Sequence, residues 1–249
     1  MASPGVAERV AASTPPSAPG ETLTKDQRRE ELVALYKEAS GCTRCPLAET
    51  RLRVVFGAGN ADAELMFVGE GPGAQEDKQG LPFVGRAGGL LNELLAGVGL
   101  ERDDVFIANA VKCRPPGNRD PHPAELEACS GYLERQLELI RPRVVATLGN
   151  FATRLLTQSR APISKVRGTP QLHTLGGREV LVLPIFHPAA ALRNPALQDS
   201  LEEDFAALRK LLDQPLPETP VNTETDEVFV PAPLEPSPAP PRDQLDLFG

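Results

Sequence analysis

Three polar residues, each set just after an apolar run, carry the chemistry open to this sequence. Leu65, Met66, Phe67 and Val68 lead into Gly69-Glu70-Gly71, the run at 104–111 delivers Asn109, and residues 179–185 lead into Phe186-His187-Pro188. A carboxylate orients water or faces a cation, a carboxamide offers one donor and one acceptor to a ligand edge, and an imidazole exchanges a proton near neutrality. If the runs are parallel strands, the three side chains meet at the sheet edge where open α/β folds bind ligands. Singly, each has an ordinary reading: Glu70 as a solvated turn residue, His187 as a structural or exposed histidine. Gly69, Gly71 and Gly73 around Pro72 let the main chain approach a ligand closely.

A second set is Cys42, Cys45, Cys113 and Cys129: a C-x2-C pair, a distant cysteine, and another after fifteen intervening residues. In an intracellular chain four such thiols suit metal ligation better than disulfides, and their spacing alone accepts either zinc or an iron-sulfur cluster.

These residues need a frame. Leu32, Leu35 and Tyr36 give helical spacing over 28–40, ended at Gly41. Helices are also expected over 85–100 through Leu90, Leu91, Leu94 and Leu95, from Pro123 to Ile140, over 150–157, and over 199–212 with Leu201, Phe205, Leu208 and Leu212 on one face. With strands at 65–68, 104–111, 144–148 and 179–185, the alternation predicts an α/β domain: a central, mainly parallel four-stranded sheet with helices on both sides.

Composition bounds that domain. Residues 1–27 are rich in Ala, Pro, Ser, Thr and Gly, and those beyond 213 in Pro, Glu and Asp, so disordered tails flank one domain at 28–213. The net charge of −8 is segregated: residues 214–249 hold seven acids against Arg242 alone, whereas 28–213 hold 24 acids and 23 bases. An acidic total therefore leaves room for a basic groove on the folded part. No long apolar leader or membrane-length stretch is present, so no membrane association is expected.

GEGPGAQED at 69–77, LPFVGRAG at 81–88, NAVKCRPP at 109–116 and HPAAALR at 187–193, with the four cysteines, resemble the family 4 uracil-DNA glycosylases, thermophile-type iron-sulfur enzymes. The likeness runs over roughly residues 30–212. It implies a three-layer sandwich and a [4Fe-4S] cluster on the four cysteines, in preference to zinc. It implies further that Phe83 stacks on a flipped uracil, that Asn109 pairs with its edge, and that main-chain groups around Gly69, Glu70 and Gly71 help hold it. His187 would donate to uracil O2, and Glu70 would position the attacking water, with Asn118 and Asp120 as alternatives for that task. Glu76 would fill the space beside uracil C5.

Lys112, Arg114, Arg119, Lys165 and Arg167 are the expected phosphate contacts, and Leu192 and Arg193 the wedge that replaces the flipped base. The resemblance implies a monofunctional enzyme that hydrolyses uracil from DNA and leaves an abasic site. A related branch traps uracil-DNA through a histidine in a basic insertion; residues 164–168 contain none and His173 lies beyond them, so turnover is expected. A non-catalytic iron-sulfur DNA-binding adaptor is the alternative of a different class.

After the long Pro/acid stretch the chain returns to apolar character in Gln244-Leu245-Asp246-Leu247-Phe248, which resembles the bacterial sliding-clamp-binding pentapeptide. The expected partners are therefore uracil-containing DNA and the clamp, for a monomeric, cytoplasmic, nucleoid-associated bacterial protein.

Overall fold

The structure, a computed structural model, describes residues 23–214. Expectations placed on 1–22 and 215–249, including the pentapeptide at 244–248, lie outside the described residues.

Thr24 starts the first helix, α1 (Lys25–Ser40), through a capping box with Gln27, so the helix begins three residues before the apolar spacing at 28 does. Gly41 closes it, the Cys42–Cys45 turn follows, and a single turn, α2 (Leu47–Thr50), leads to the short edge strand β1 (Ala58–Gly59). The apolar run at 65–68 forms β2 (Leu65–Gly69), buried along its whole length. Beyond it lie α3 (Ala74–Gln79), α4 (Arg86–Gly97) and β3 (Phe106–Asn109). Pro123 occupies the first turn of α5 (Pro123–Ile140), where its missing N–H costs nothing. Then come β4 (Val144–Leu148), α6 (Gly149–Thr157), α7 (Ile163–Val166), β5 (Gln171–Leu175), β6 (Arg178–Ile185), α8 (Pro188–Arg193) and α9 (Gln198–Asp213).

The sheet has six strands in the order β1-β3-β2-β4-β6-β5. Its inner four are parallel and its two edges antiparallel, which corrects the expected four-stranded, mainly parallel sheet to a six-stranded mixed one. Both missed strands are edges. β1 is two residues long, too short for any periodicity, and β5 alternates between half-buried and exposed positions with little apolar content. One signal for β5 was present: Gly176-Gly177 joins it to β6 with φ of 57° and 72°, the conformation a two-residue hairpin turn demands.

Strand alternation divides the core into two layers of contact. Leu65 and Phe67 face α4 and α9, where Phe67 stacks on Phe205 at 5.8 Å, while Met66 and Val68 face α5 and α6. A third cluster joins α1, α2 and α5 around the cysteines through Ala39, Leu47, Phe56 and Tyr132. Among the described residues no helix is long and apolar enough to cross a membrane.

Candidate active site

The inner strands end together: Gly69 stands opposite Asn109, Val68 opposite Thr147, and Leu148 opposite Ile185. Since β3 and β4 lie on opposite sides of β2, this edge is a topological switch point, and a cavity of about 570 Å³ opens there. Glu70 and Gly71 from the β2 turn, Asn109, Gly149 and Asn150 after β4, and Phe186 and His187 after β6 all line it. The sheet thus brings together the three polar residues that the sequence places at strand ends.

One wall is aromatic. Phe83 and His187 stack with centroids 5.5 Å apart and planes 25° from parallel. His187 caps α8, and its Nδ1 accepts the Ala189 N–H at 3.0 Å, so the neutral ring carries its proton on Nε2. Burial, reinforced by the Arg193 charge and opposed by Glu76, pulls its pKa down to about 4. The ring is a neutral donor throughout the physiological range. Beside it Asn109 is 2% exposed, and its Oδ1 has no hydrogen-bond partner among the described residues. A buried carbonyl with no donor costs free energy until a ligand N–H reaches it. Gly69 makes room for both groups: a Cβ there would come within 3.0 Å of Asn109 Oδ1 and lie 3.1 Å from Phe83 Cε2.

Acidic groups line the same cavity. Burial raises the Glu70 pKa, and Asp120, close enough to share a hydrogen bond with it, raises it further. Asn118 also lines the cavity, but its Oδ1 accepts from Arg114 Nε at 2.7 Å. The loop carrying Asn118 and Asp120 is fixed by Glu125 at the start of α5, which takes both Arg119 Nη atoms at 2.6 and 2.8 Å and the His122 N–H. The Arg119 fork holds that carboxyl down at about 2. Glu76 Oε1 accepts the N–H groups of Val84 and Gly85, so besides lining the cavity it anchors the loop behind Phe83.

The expected phosphate contacts separate by burial. Lys112 is corrected outright: it is 1% exposed, and its Nζ donates to the Asn109 carbonyl at 2.8 Å and to Gln136 Oε1 at 2.6 Å. It braces the strand end from inside and presents nothing to a phosphate. Arg119 is spent on Glu125, and Arg167 on Asp204, Glu203 and the Ser200 carbonyl while it lies over the Phe186 ring. Arg114 is half-buried against Asn118, Leu192 is partly exposed, and Lys165 and Arg193 are exposed. Arg154, exposed on the cavity rim, went unnoticed in the sequence because nothing marks a helical arginine as facing a site.

The four cysteines line one small pocket with Arg44, Arg51 and Tyr132. Arg51 Nη1 donates to Cys113 Sγ at 3.5 Å, and the Lys112 N–H to Cys129 Sγ at 3.3 Å. Burial pushes the Cys113 thiol up to about 11, opposed by Arg51, and raises Cys129 as well. Among the described residues no three His, Cys, Asp or Glu side chains are arranged to hold a single metal ion. The donor set nonetheless fits an iron-sulfur cluster: four thiols from α1's end, the loop after β3 and α5 face one space, with N–H···S donors already in place.

A stacked aromatic pair, a buried amide oxygen, a neutral imidazole donor and a carboxylate line one cavity, chemistry that suits a planar heterocycle bearing N–H and C=O groups. The chain belongs to the uracil-DNA glycosylase superfamily, whose family model matches residues 56–212. It is 51% identical over 168 residues to a type-4 uracil-DNA glycosylase of Thermotoga maritima, covering 67% of this chain and 86% of that one. It is 47% identical over 186 residues to the type-4 enzyme of Archaeoglobus fulgidus, covering 73% and 94%. A type-5 uracil-DNA glycosylase of Thermus thermophilus is 35% identical over 152 residues, covering 55% and 69%.

Proposed function

We infer that the chain is a uracil-DNA glycosylase that excises uracil from DNA in base-excision repair. The observation that carries this reading is the orphaned Oδ1 of buried Asn109 beside the Phe83–His187 wall. Uracil N3–H supplies the missing donor, and the amide N–H₂ of Asn109 reaches O4. Cytosine offers an acceptor at N3 and a donor at position 4, the reverse of what Asn109 needs. Phe83 takes the face of the flipped ring.

As the N-glycosidic bond stretches, its electron pair passes to the base, and charge gathers on O2. The neutral His187 Nε2–H meets that charge, and a preorganised donor of this kind is worth about 3 kcal/mol. Glu70, ionised, orients the water that attacks C1′ and offsets the positive charge of the sugar, with the Asp120 carboxyl beside it. The products are uracil and an abasic site. The proposed reaction is hydrolysis without strand cleavage: among the described residues that line the cavity none is a lysine.

Cys42, Cys45, Cys113 and Cys129 are the proposed ligands of a [4Fe-4S] cluster. When bound, it supplies a cross-link between the end of α1, the loop after β3 and α5. Exposed Lys165, Arg154 and Arg193 are the proposed phosphate contacts, assisted by Arg114, and Leu192 the wedge. Gln244–Leu245–Asp246–Leu247–Phe248 is proposed to dock a bacterial sliding clamp and deliver the enzyme to replicating DNA; deleting 244–249 should abolish clamp binding and leave excision from free oligonucleotides intact.

The test of the activity is alkali-revealed cleavage of a uracil-containing oligonucleotide by wild type, Glu70→Ala, Asn109→Ala and His187→Ala. Clear wild-type excision that is lost in all three variants is expected. A folded, cluster-loaded wild type without excision would overturn the reading.

A further inference from the structure

We propose that Arg102 is a positioning residue for uracil recognition: it grips the main chain that carries Phe83 and so holds the stacking ring against the cavity. The inference rests on Phe83 being the stacking wall of the uracil pocket.

Arg102 does not line the cavity; it sits in the single turn Arg102–Asp104 that precedes β3. Its guanidinium reaches back across the fold, Nη1 donating to the Phe83 carbonyl at 3.2 Å and to Asn92 Oδ1 at 3.2 Å, and Nη2 donating to the Pro82 carbonyl. Phe83 needs such a hold. Its φ is 51°, in the left-handed region that a bulky L-residue rarely takes, and such a backbone persists only where its surroundings over-determine it.

The surroundings do so from three directions. Arg102 fixes the carbonyls of residues 82 and 83, Glu76 takes the N–H groups of residues 84 and 85, and α4 presses on the same peptide at Gly88, where a Cβ would fall on the Phe83 carbonyl. Without Arg102 only Glu76 and α4 restrain the Phe83 peptide, which is then held less firmly in the left-handed region, and its ring departs more often from the position 5.5 Å from His187. A planar fork that holds two adjacent carbonyls is an arginine geometry, which lysine reproduces in part.

The experiment is a double-mutant cycle on the cluster-loaded enzyme, read as the inhibition constant of free uracil and as KM and kcat on a uracil oligonucleotide. Phe83→Ala should weaken uracil binding about 10- to 100-fold, as loss of one base–aromatic stack does. Arg102→Met should weaken it about tenfold, Arg102→Lys less, and Asn92→Ala hardly at all. In the Phe83→Ala background, Arg102→Met should add less than about twofold, because the two act as a unit. Should Arg102→Met fail to fold, Arg102→Lys carries the cycle. Wild-type uracil affinity in Arg102→Met, or an equal loss with and without Phe83, overturns the inference. If Phe83→Ala itself leaves uracil binding unchanged, the stacking wall is misassigned and this inference falls with it.

Discussion

Replacing Gly69 with alanine adds one methyl group at the last residue of β2, against Asn109 and Phe83, which line the cavity. The substitution does not strain the backbone, since Gly69 is not in the left-handed region. The cost is steric and falls on two side chains: the new Cβ lies within 3.0 Å of Asn109 Oδ1 and 3.1 Å from Phe83 Cε2. The strand cannot retreat, because Gly69 pairs with Asn109 in the ladder and its carbonyl accepts the Ala110 N–H at 2.9 Å. The amide and the ring must therefore move. A misplacement of about 1 Å in a positioning group costs on the order of 100-fold in rate, so kcat/KM for uracil excision should fall by about that factor. Overpacking of this size costs about 1–3 kcal/mol of stability, and at roughly 2–4 °C per kcal/mol the domain stays folded in the assay. Single-turnover excision is the measurement, with affinity for undamaged duplex as the control that should not move. A folded Gly69→Ala enzyme within threefold of wild type would refute the claim that Asn109 and Phe83 work from these positions.

Asn109→Leu should separate stability from activity: removing a buried, unpaired carbonyl stabilises the ligand-free protein by up to about 1–3 kcal/mol in thermal unfolding while excision is lost. Asp120→Asn tests the acidic wall by pH. Glu70 works ionised and its pKa is raised, so activity is present above that pKa and lost as pH falls through it; removing the Asp120 charge lowers the Glu70 pKa and should move the acid limb of kcat/KM to lower pH. The His187 ring, neutral down to about pH 4, should add no limb between pH 5 and 8. Cys113→Ser should reduce bound iron and sulfide and lower the unfolding temperature, since the proposed cluster would link α1, the loop after β3 and α5.

Much of this molecule was legible because its signals are local. The runs that became β2, β3, β4 and β6 are apolar, and each reaches Gly or a polar residue at its end or within two residues beyond, so Glu70, Asn109 and His187 fall at one sheet edge. The edge strands were not legible, since two residues of β1 have no period and β5 buries no continuous face. Lys112 reads as a surface cation in a basic loop; only the packing of α5 against that loop, which brings Gln136 to its ammonium, reveals it as an internal brace.

Residue types and their spacing set the chemistry on offer: which strand ends bear a carboxylate, an amide and an imidazole, and which four thiols are available as ligands. Those follow from residue type and from periods of two and 3.6, which adjacent residues set. The tertiary structure alone decided which cations are free and which are spent, that Asp120 faces Glu70, and that Arg102 holds the Phe83 loop. Burial and hydrogen-bond partnership between segments distant in the chain depend on how helices pack on the sheet. No local pattern encodes that packing.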